Sequence, residues 1–256
     1  MTSPALFTIY TSDCRCREEG VLQIKFSDDT SISGLIMDDD EAGYRKAVDS
    51  MVSWCEDNFL LLNVSKTKEM IIDFRRKPPA LSPLIINGEQ VEVVTQYKYL
   101  GTILDHKLDW TDNTTQLVKK GNKGIYFLKK LRSFDVQMEV LRLFYQAVVQ
   151  SVISFNSLCF HNNLKAVDAS RLAKLTRTAS GVIGAAVTDL TTLYTKKAVR
   201  RVRAILGDPS HPLRCEFSTQ QSNREGSTRL RSMKCRTDRF KNSFVPSAIR
   251  VCNNDI

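Results

Sequence analysis

The chain has 256 residues, 42% of them hydrophobic and 25% charged, a balance that fits a globular protein and excludes wholesale disorder. No apolar run approaches the ~20 residues needed to span a bilayer, and Met1 to Tyr10 lacks the basic-then-apolar pattern of a secretory leader. The net charge of +9 is unevenly spread: residues 1–63 carry 5 basic and 12 acidic side chains, 64–118 carry 7 of each, and 119–256 carry 25 basic and 9 acidic.

In chain order, Val21 to Phe26 alternates apolar and polar residues and Thr30 to Ile36 is rich in β-branched residues, so the two predict a hairpin with Asp28 and Asp29 at its turn. Asp38-Asp39-Asp40-Glu41 then places negative charge where a helix dipole favours it. Tyr44, Val48, Met51, Val52, Cys55 and Phe59 follow at helical spacing and predict one amphipathic helix. Glu69 to Phe74 reads as a strand. Leu84 to Ile86 and Val91 to Val94 read as a short hairpin around Asn87-Gly88, and Tyr97 to Leu104 as a further strand.

After Trp110 the pattern turns helical. Leu117, Gly121, Gly124, Leu128 and Leu131 form one stripe, with Lys119, Lys120, Lys123, Lys129, Lys130 and Arg132 opposite it. Val140 to Phe155, Leu172 to Ile183 and Leu193 to Leu206 predict three more helices, and Asp208-Pro209 breaks the last. Arg214 to Ser232 is polar, basic and poor in core formers, which predicts loop.

The acidic head on a basic tail implies a polyanion partner for the tail. Lys119, Lys120 and Lys123, and the run Lys196, Lys197, Arg200, Arg201 and Arg203, are the expected phosphate contacts. Tyr126, Phe127, Phe134 and Tyr145 are interleaved with this charge, but they sit on apolar stripes, so core packing is expected for most of them. Seven cysteines at irregular spacing do not form a disulfide framework, no C-x-x-C pair exists, and His106, His161 and His211 lack metal-ligand spacing. A reduced protein of the cytoplasm or nucleus, not secreted, is expected.

The acidic pair in Phe26-Ser27-Asp28-Asp29 is the candidate for chemistry, since carboxylates at a turn can face an open edge and hold a hard divalent cation. The order of the following segments carries a resemblance. Phe-Ser-Asp-Asp, then Leu62-Asn63-Val64-Ser65-Lys66-Thr67, then Tyr97-Lys98-Tyr99-Leu100-Gly101 resemble the aspartate, lysine and primer-end motifs of reverse transcriptases from non-LTR (LINE-type) retrotransposons. Lys119 to Leu131, Leu143 to Ser154, Thr176 to Gly184 and Asn242 to Arg250 resemble that family's thumb and terminal tract.

The fold this resemblance implies is α+β. It comprises a partial polymerase palm of antiparallel hairpins and a packed helix over residues 1–110, a basic α-helical thumb-like region over 111–207, and a basic, partly irregular tract over 208–256. Asp28 and Asp29 would ligate Mg²⁺, Lys66 would approach the phosphates of the incoming nucleotide, and Tyr99, Leu100 and Gly101 would lie at the primer end. RNA or DNA template–primer is the implied partner, with no membrane. Ser3-Pro4-Ala5-Leu6-Phe7 is similar to the end of the family's template loop, but its Gln-Gly and the further palm aspartate are missing. A truncated copy without polymerase activity of its own, retaining nucleic-acid affinity, is the expectation.

Two alternatives remain open at the level of sequence. One is a nucleic-acid-binding remnant with no catalysis. The other rests on Lys119 to Ser151, which also resembles a segment from the N-terminus of AlkB-like proteins that modify the tRNA wobble uridine. Oxidation by such proteins needs a His-x-Asp/Glu…His triad for iron(II), and no histidine here has a carboxylate two positions on. Nor does a glycine-rich strand-to-helix turn suggest a methyl-donor site.

Overall fold

A computed structural model describes residues 4–79, 81–221 and 228–254. The chain is mixed α and β with small two-stranded sheets, mostly antiparallel, and divides into two compact units, Met1–Tyr97 and Lys98–Ile256.

The first unit opens with helix α1 (Pro4–Tyr10); Ser3, the first residue of the template-loop resemblance, lies outside the described residues. Strands β1 (Val21–Phe26) and β2 (Asp29–Gly34) pair antiparallel with Phe26 opposite Asp29, so the turn is only Ser27-Asp28, with Ser27 at φ 56°. The alternation in β1 is inverted relative to a simple amphipathic strand. Gln23 and Lys25 point inward: Lys25 Nζ donates to the carbonyls of Thr11 and Cys14, and Gln23 Oε1 accepts the Cys16 amide at 2.6 Å. Leu22, Ile24 and Phe26 are therefore left on the exposed face.

Helix α2 (Ala42–Asp57) begins after Asp40, whose carboxylate accepts the Ala42 amide at 2.9 Å. Val48 and Cys55 are buried and Tyr44, Met51 and Val52 half-buried, as the stripe predicts, and Val48 joins Leu84, Ile86 and Val91 in the small core of this unit. Phe59 departs from that stripe: the helix ends before it, its φ is 54°, and its ring is exposed.

The strand expected over Glu69 to Phe74 shrinks to β3 (Lys68–Glu69). A strand persists only as far as its ladder. β4 (Ile85–Ile86) and β5 (Glu89–Gln90) form the Asn87-Gly88 hairpin with both turn residues at positive φ, and β6 (Glu92–Val93) pairs parallel with β3 for two residues. Beyond it, Asp73 turns the chain by accepting the Arg75 amide at 2.8 Å.

The expected single strand Tyr97 to Leu104 is also corrected. It is a hairpin, β7 (Gln96–Tyr99) and β8 (Thr102–Asp105), because Leu100 and Gly101 adopt φ 44° and 87° and reverse the chain. A side chain at Gly101 would meet Phe155 Cε1 at 3.3 Å, so glycine is required there twice over.

The second unit is helical. After β8, Asp105 accepts the amides of Lys107, Asp109 and Trp110 and folds the loop into helix α3 (Thr111–Ser133). Leu117, Gly121, Gly124 and Leu128 face the core, as the periodicity requires. The next helical stretch, Met138–Ile153, contains α4 (Met138–Phe144), one π segment (Tyr145–Gln150) and α5 (Ser151–Ile153). α6 (Ser157–Phe160) and α7 (Ala166–Ile183) complete a core in which Leu141, Tyr145, Val149, Ile153, Phe160 and Leu172 are fully buried.

The N-terminus of α3 is pinned to α7. Thr111 Oγ1 donates to Asp168 at 3.1 Å, Arg171 bonds Asp168 at 3.0 Å, and Lys165 pairs with Asp109 at 2.9 Å. Among the described residues no single helix is long and apolar enough to cross a membrane. The bent pair Met138–Ile153 and Ser157–Asn163 passes by length and composition, and its Leu141, Tyr145, Val149, Ile153 and Phe160 are buried in this core.

Helix α8 (Leu190–Gly207) is capped by Asp189, which accepts the Thr192 amide at 2.9 Å. It packs a second core with α10 (Phe244–Asn254), which follows α9 (Asp238–Asn242) and the pair β9 (Thr219–Gln221) and β10 (Thr228–Leu230). Part of the expected Arg214 to Ser232 loop, residues 222–227, lies outside the described residues. Within the rest, Phe217 and Leu230 are buried against Val202, Ile205 and Ile249, so two apolar residues in a polar tract suffice to anchor it.

Candidate nucleic-acid interface

α3 carries a long row of positive charge without paired carboxylates among the described residues. Its buried stripe against α7 and the π segment leaves the opposite face to Lys119, Lys120, Lys123, Lys129 and Lys130, all exposed. None of these five ammonium groups pairs with a carboxylate among the described residues. Lys130 and Arg132 in the last turn and Asp112 in the first also agree with the helix dipole.

The aromatic residues on this helix are not where the apolar pattern put them. Tyr126 is 58% exposed, Phe127 56% and Phe134 76%, whereas Tyr145 alone of the four is fully buried. The Tyr126 and Phe127 rings meet edge to face, with centroids 5.5 Å apart and planes at 75°. Glycines at 121 and 124 explain the difference: they let the helices approach closely, and the core is then filled by Leu117, Ile125 and Leu128 without these rings.

On α8, Lys196, Arg200, Arg201 and Arg203 are exposed, but Lys197 is not free to meet a phosphate. Its ammonium donates to the Ser154 carbonyl and, at 3.0 Å, to Ser154 Oγ. Partial burial and the neighbouring Arg200 hold its pKa below that of an ordinary lysine. It is a buttress within the second unit, a role the basic run concealed.

In the first unit, Asp28 and Asp29 are both exposed, Asp28 in the turn and Asp29 as the first residue of β2. Lys66 lies in a turn closed by its own amide to the Asn63 side chain at 3.1 Å, and its ammonium is exposed. The neighbouring Lys68 is instead committed, pairing with Glu92 at 2.6 Å. No hydrogen bond or ion pair joins Lys66 to either aspartate. Tyr99, Leu100 and Gly101 are brought together as the end of β7 and its reverse turn.

Among the described residues no three His, Cys, Asp or Glu side chains are grouped so as to hold a metal ion. Two adjacent turn aspartates fall short of the donor set that a pair of magnesium ions requires. The histidines are no better placed for iron. His161, for example, stacks on Tyr194 with ring centroids 4.9 Å apart, and burial lowers its pKa.

Residues 110–151 match the family described as alkylated DNA repair protein alkB homolog 8, N-terminal. The match runs from Trp110 through α3 to the start of α5 and contains the Lys119 to Ser151 tract whose likeness to AlkB-like proteins the sequence suggested. It therefore covers the lysine face and the helix packed beneath it. No curated protein and no solved structure matches the chain.

Proposed function

We propose that the chain is a nucleic-acid-binding protein whose second unit makes the contact through the lysine face of α3. The observation that carries this reading is the row of exposed, carboxylate-free ammonium groups on one helix face. Each phosphate neutralised by such a group releases condensed counterions, so binding should weaken steeply with salt. The description of the matched family names a DNA repair protein, with which a nucleic-acid partner agrees. The test is oligonucleotide affinity as a function of salt. Lys119→Ala, Lys123→Ala and Lys130→Ala together should flatten the log–log slope by roughly 2 to 3, and a salt-independent wild type would overturn the reading.

A second reading, descent from a LINE-type reverse transcriptase, is favoured by one observation: the hairpin tip presents Asp28 and Asp29 to solvent, with no ion pair to either among the described residues. On this reading residues 1–110 are palm-like, with Lys66 of the first unit and the Tyr99-Leu100-Gly101 turn at the start of the second as relics, and residues 111–207 are thumb-like. The chain is then expected to lack polymerase activity of its own, because two carboxylates at a hairpin tip are fewer donors than the Mg²⁺ chemistry of that family requires. Primer extension with Mg²⁺ or Mn²⁺ should yield no product. Extension that disappears in Asp28→Ala would show the inactivity to be wrong. Dioxygenase activity has no support among the described residues, where no iron-binding triad is assembled.

A further inference from the structure

We propose that α3 is a platform for single-stranded nucleic acid, on which a base stacks in the corner between Tyr126 and Phe127 while Lys123 and Lys130 hold the flanking phosphates; this rests on the nucleic-acid reading above. Two large rings side by side, each more than half exposed in the middle of a long helix, are not spare core residues. The buried stripe of α3 is complete without them. Solvation of two adjacent aromatic faces is unfavourable, and the cost is relieved when a flat apolar partner covers them.

The arrangement specifies the partner. At 75° the two rings form a corner, so a base lying on one presents its edge to the other. Lys119, Lys123, Tyr126, Lys130 and Phe134 recur every three or four residues, so from Lys123 onward cation and ring alternate along one outward face. Seven residues of helix separate Lys123 from Lys130, about 10 Å along the axis, with the rings midway. Successive phosphates of a stacked strand rise ~3.4 Å, so the two lysines bracket about three nucleotides. Phe134, 76% exposed at the end of α3, extends the strip by one further ring.

A duplex cannot use this corner, because its bases already stack on one another and present only edges in the grooves. A single strand can, and every base has a face to offer, so binding should be tolerant of sequence. An acidic protein surface would satisfy the lysines but leave the rings uncovered. Both halves of the strip are used only by a polyanion that carries planar rings.

The experiment compares a short labelled oligothymidylate, the same length of oligouridylate and a blunt duplex by fluorescence anisotropy, for wild type and for Tyr126→Leu/Phe127→Leu. Leucine keeps the apolar bulk and the helix propensity but provides no ring to stack on, and the exposed positions leave the fold intact, which an unchanged thermal midpoint verifies. Wild type should bind both single strands more tightly than the duplex. The double variant should lose roughly 5- to 100-fold for the single strands, with duplex affinity and salt slope unchanged. Equal single-strand affinity of variant and wild type, or a preference for duplex, overturns this inference while salt-dependent binding leaves the broader reading standing. Absence of salt-dependent binding to all three probes overturns both.

Discussion

Gly124 of α3 lies so close to Val149 in the π segment that a Cβ at position 124 would stand 2.6 Å from Val149 Cγ2. In a mid-helix position alanine is ordinarily worth ~1 kcal/mol more than glycine, so the usual sign of Gly→Ala is reversed only if the neighbour cannot yield. Val149 is fully buried and β-branched, with little rotamer freedom. Gly124→Ala should therefore destabilise the second unit by about 1–2 kcal/mol net, read from the urea midpoint. At Gly121 the nearest atom is Leu175 Cδ1, also at 2.6 Å, but it is the end of a flexible side chain. Gly121→Ala should cost less, and equal losses at the two sites would contradict this account.

Tyr145 is completely buried, its hydroxyl has no hydrogen-bond partner among the described residues, and burial pushes its pKa up to about 12. An unpaired buried hydroxyl costs ~1–3 kcal/mol, which phenylalanine avoids in the same shape. Tyr145→Phe should raise stability by about 1 kcal/mol. A loss of stability would reveal a partner for that hydroxyl.

Acid should act on the second unit in two windows. Burial lowers the His161 pKa, so the unfolded chain binds this proton more readily than the folded one, and stability falls as pH drops below ~6.5. Asp109 is held down to about 2, first by its hydrogen bond from Lys165, so its contribution is intact above ~3.9 and is lost as pH falls toward 2. His161→Gln should remove the upper slope, and Asp109→Asn should reduce the lower one, to which Asp189 and Asp208 also contribute, in urea midpoints measured against pH. The Asp109 effect is small, because the pair is partly exposed.

Lys197 separates structure from binding. Replacement by Met leaves the Ser154 carbonyl and hydroxyl without their donor, and the expected loss is about 1–2 kcal/mol of stability. Oligonucleotide affinity at a temperature where the variant is folded should not change. Lys123→Ala should do the opposite, and a binding defect in Lys197→Met would place that ammonium on the ligand.

Much of this architecture is legible from periodicity. The Leu117, Gly121, Gly124, Leu128 stripe predicted both the buried side of α3 and its lysine face, because one dominant contact fixes a helix rotationally. Tyr126 and Phe127 were expected in the core for their apolar character, whereas the buried stripe is complete without them and both rings are exposed. Tertiary decisions were less visible. Glu69 to Phe74 has strand composition, yet strand length is set by the partner ladder, which is two residues long. The reversal at Leu100-Gly101 was signalled only by its glycine, since a leucine at positive φ has no sequence signature. Asp28, Asp29 and Lys66 were legible as a motif, but motifs do not state whether enough donors converge to hold a metal.

The inward clamp made by Gln23 and Lys25 has a practical consequence. By turning its polar residues in, β1 presents Leu22, Ile24 and Phe26 on a ribbon to which no third strand pairs among the described residues, a combination that nucleates strand-to-strand association between chains. The aspartates at its tip act as gatekeepers, setting like charges against each other when two such ribbons approach end to end. Neutralising Asp28 and Asp29 to probe catalysis therefore also removes a solubility device. Light scattering belongs beside every activity measured on those variants.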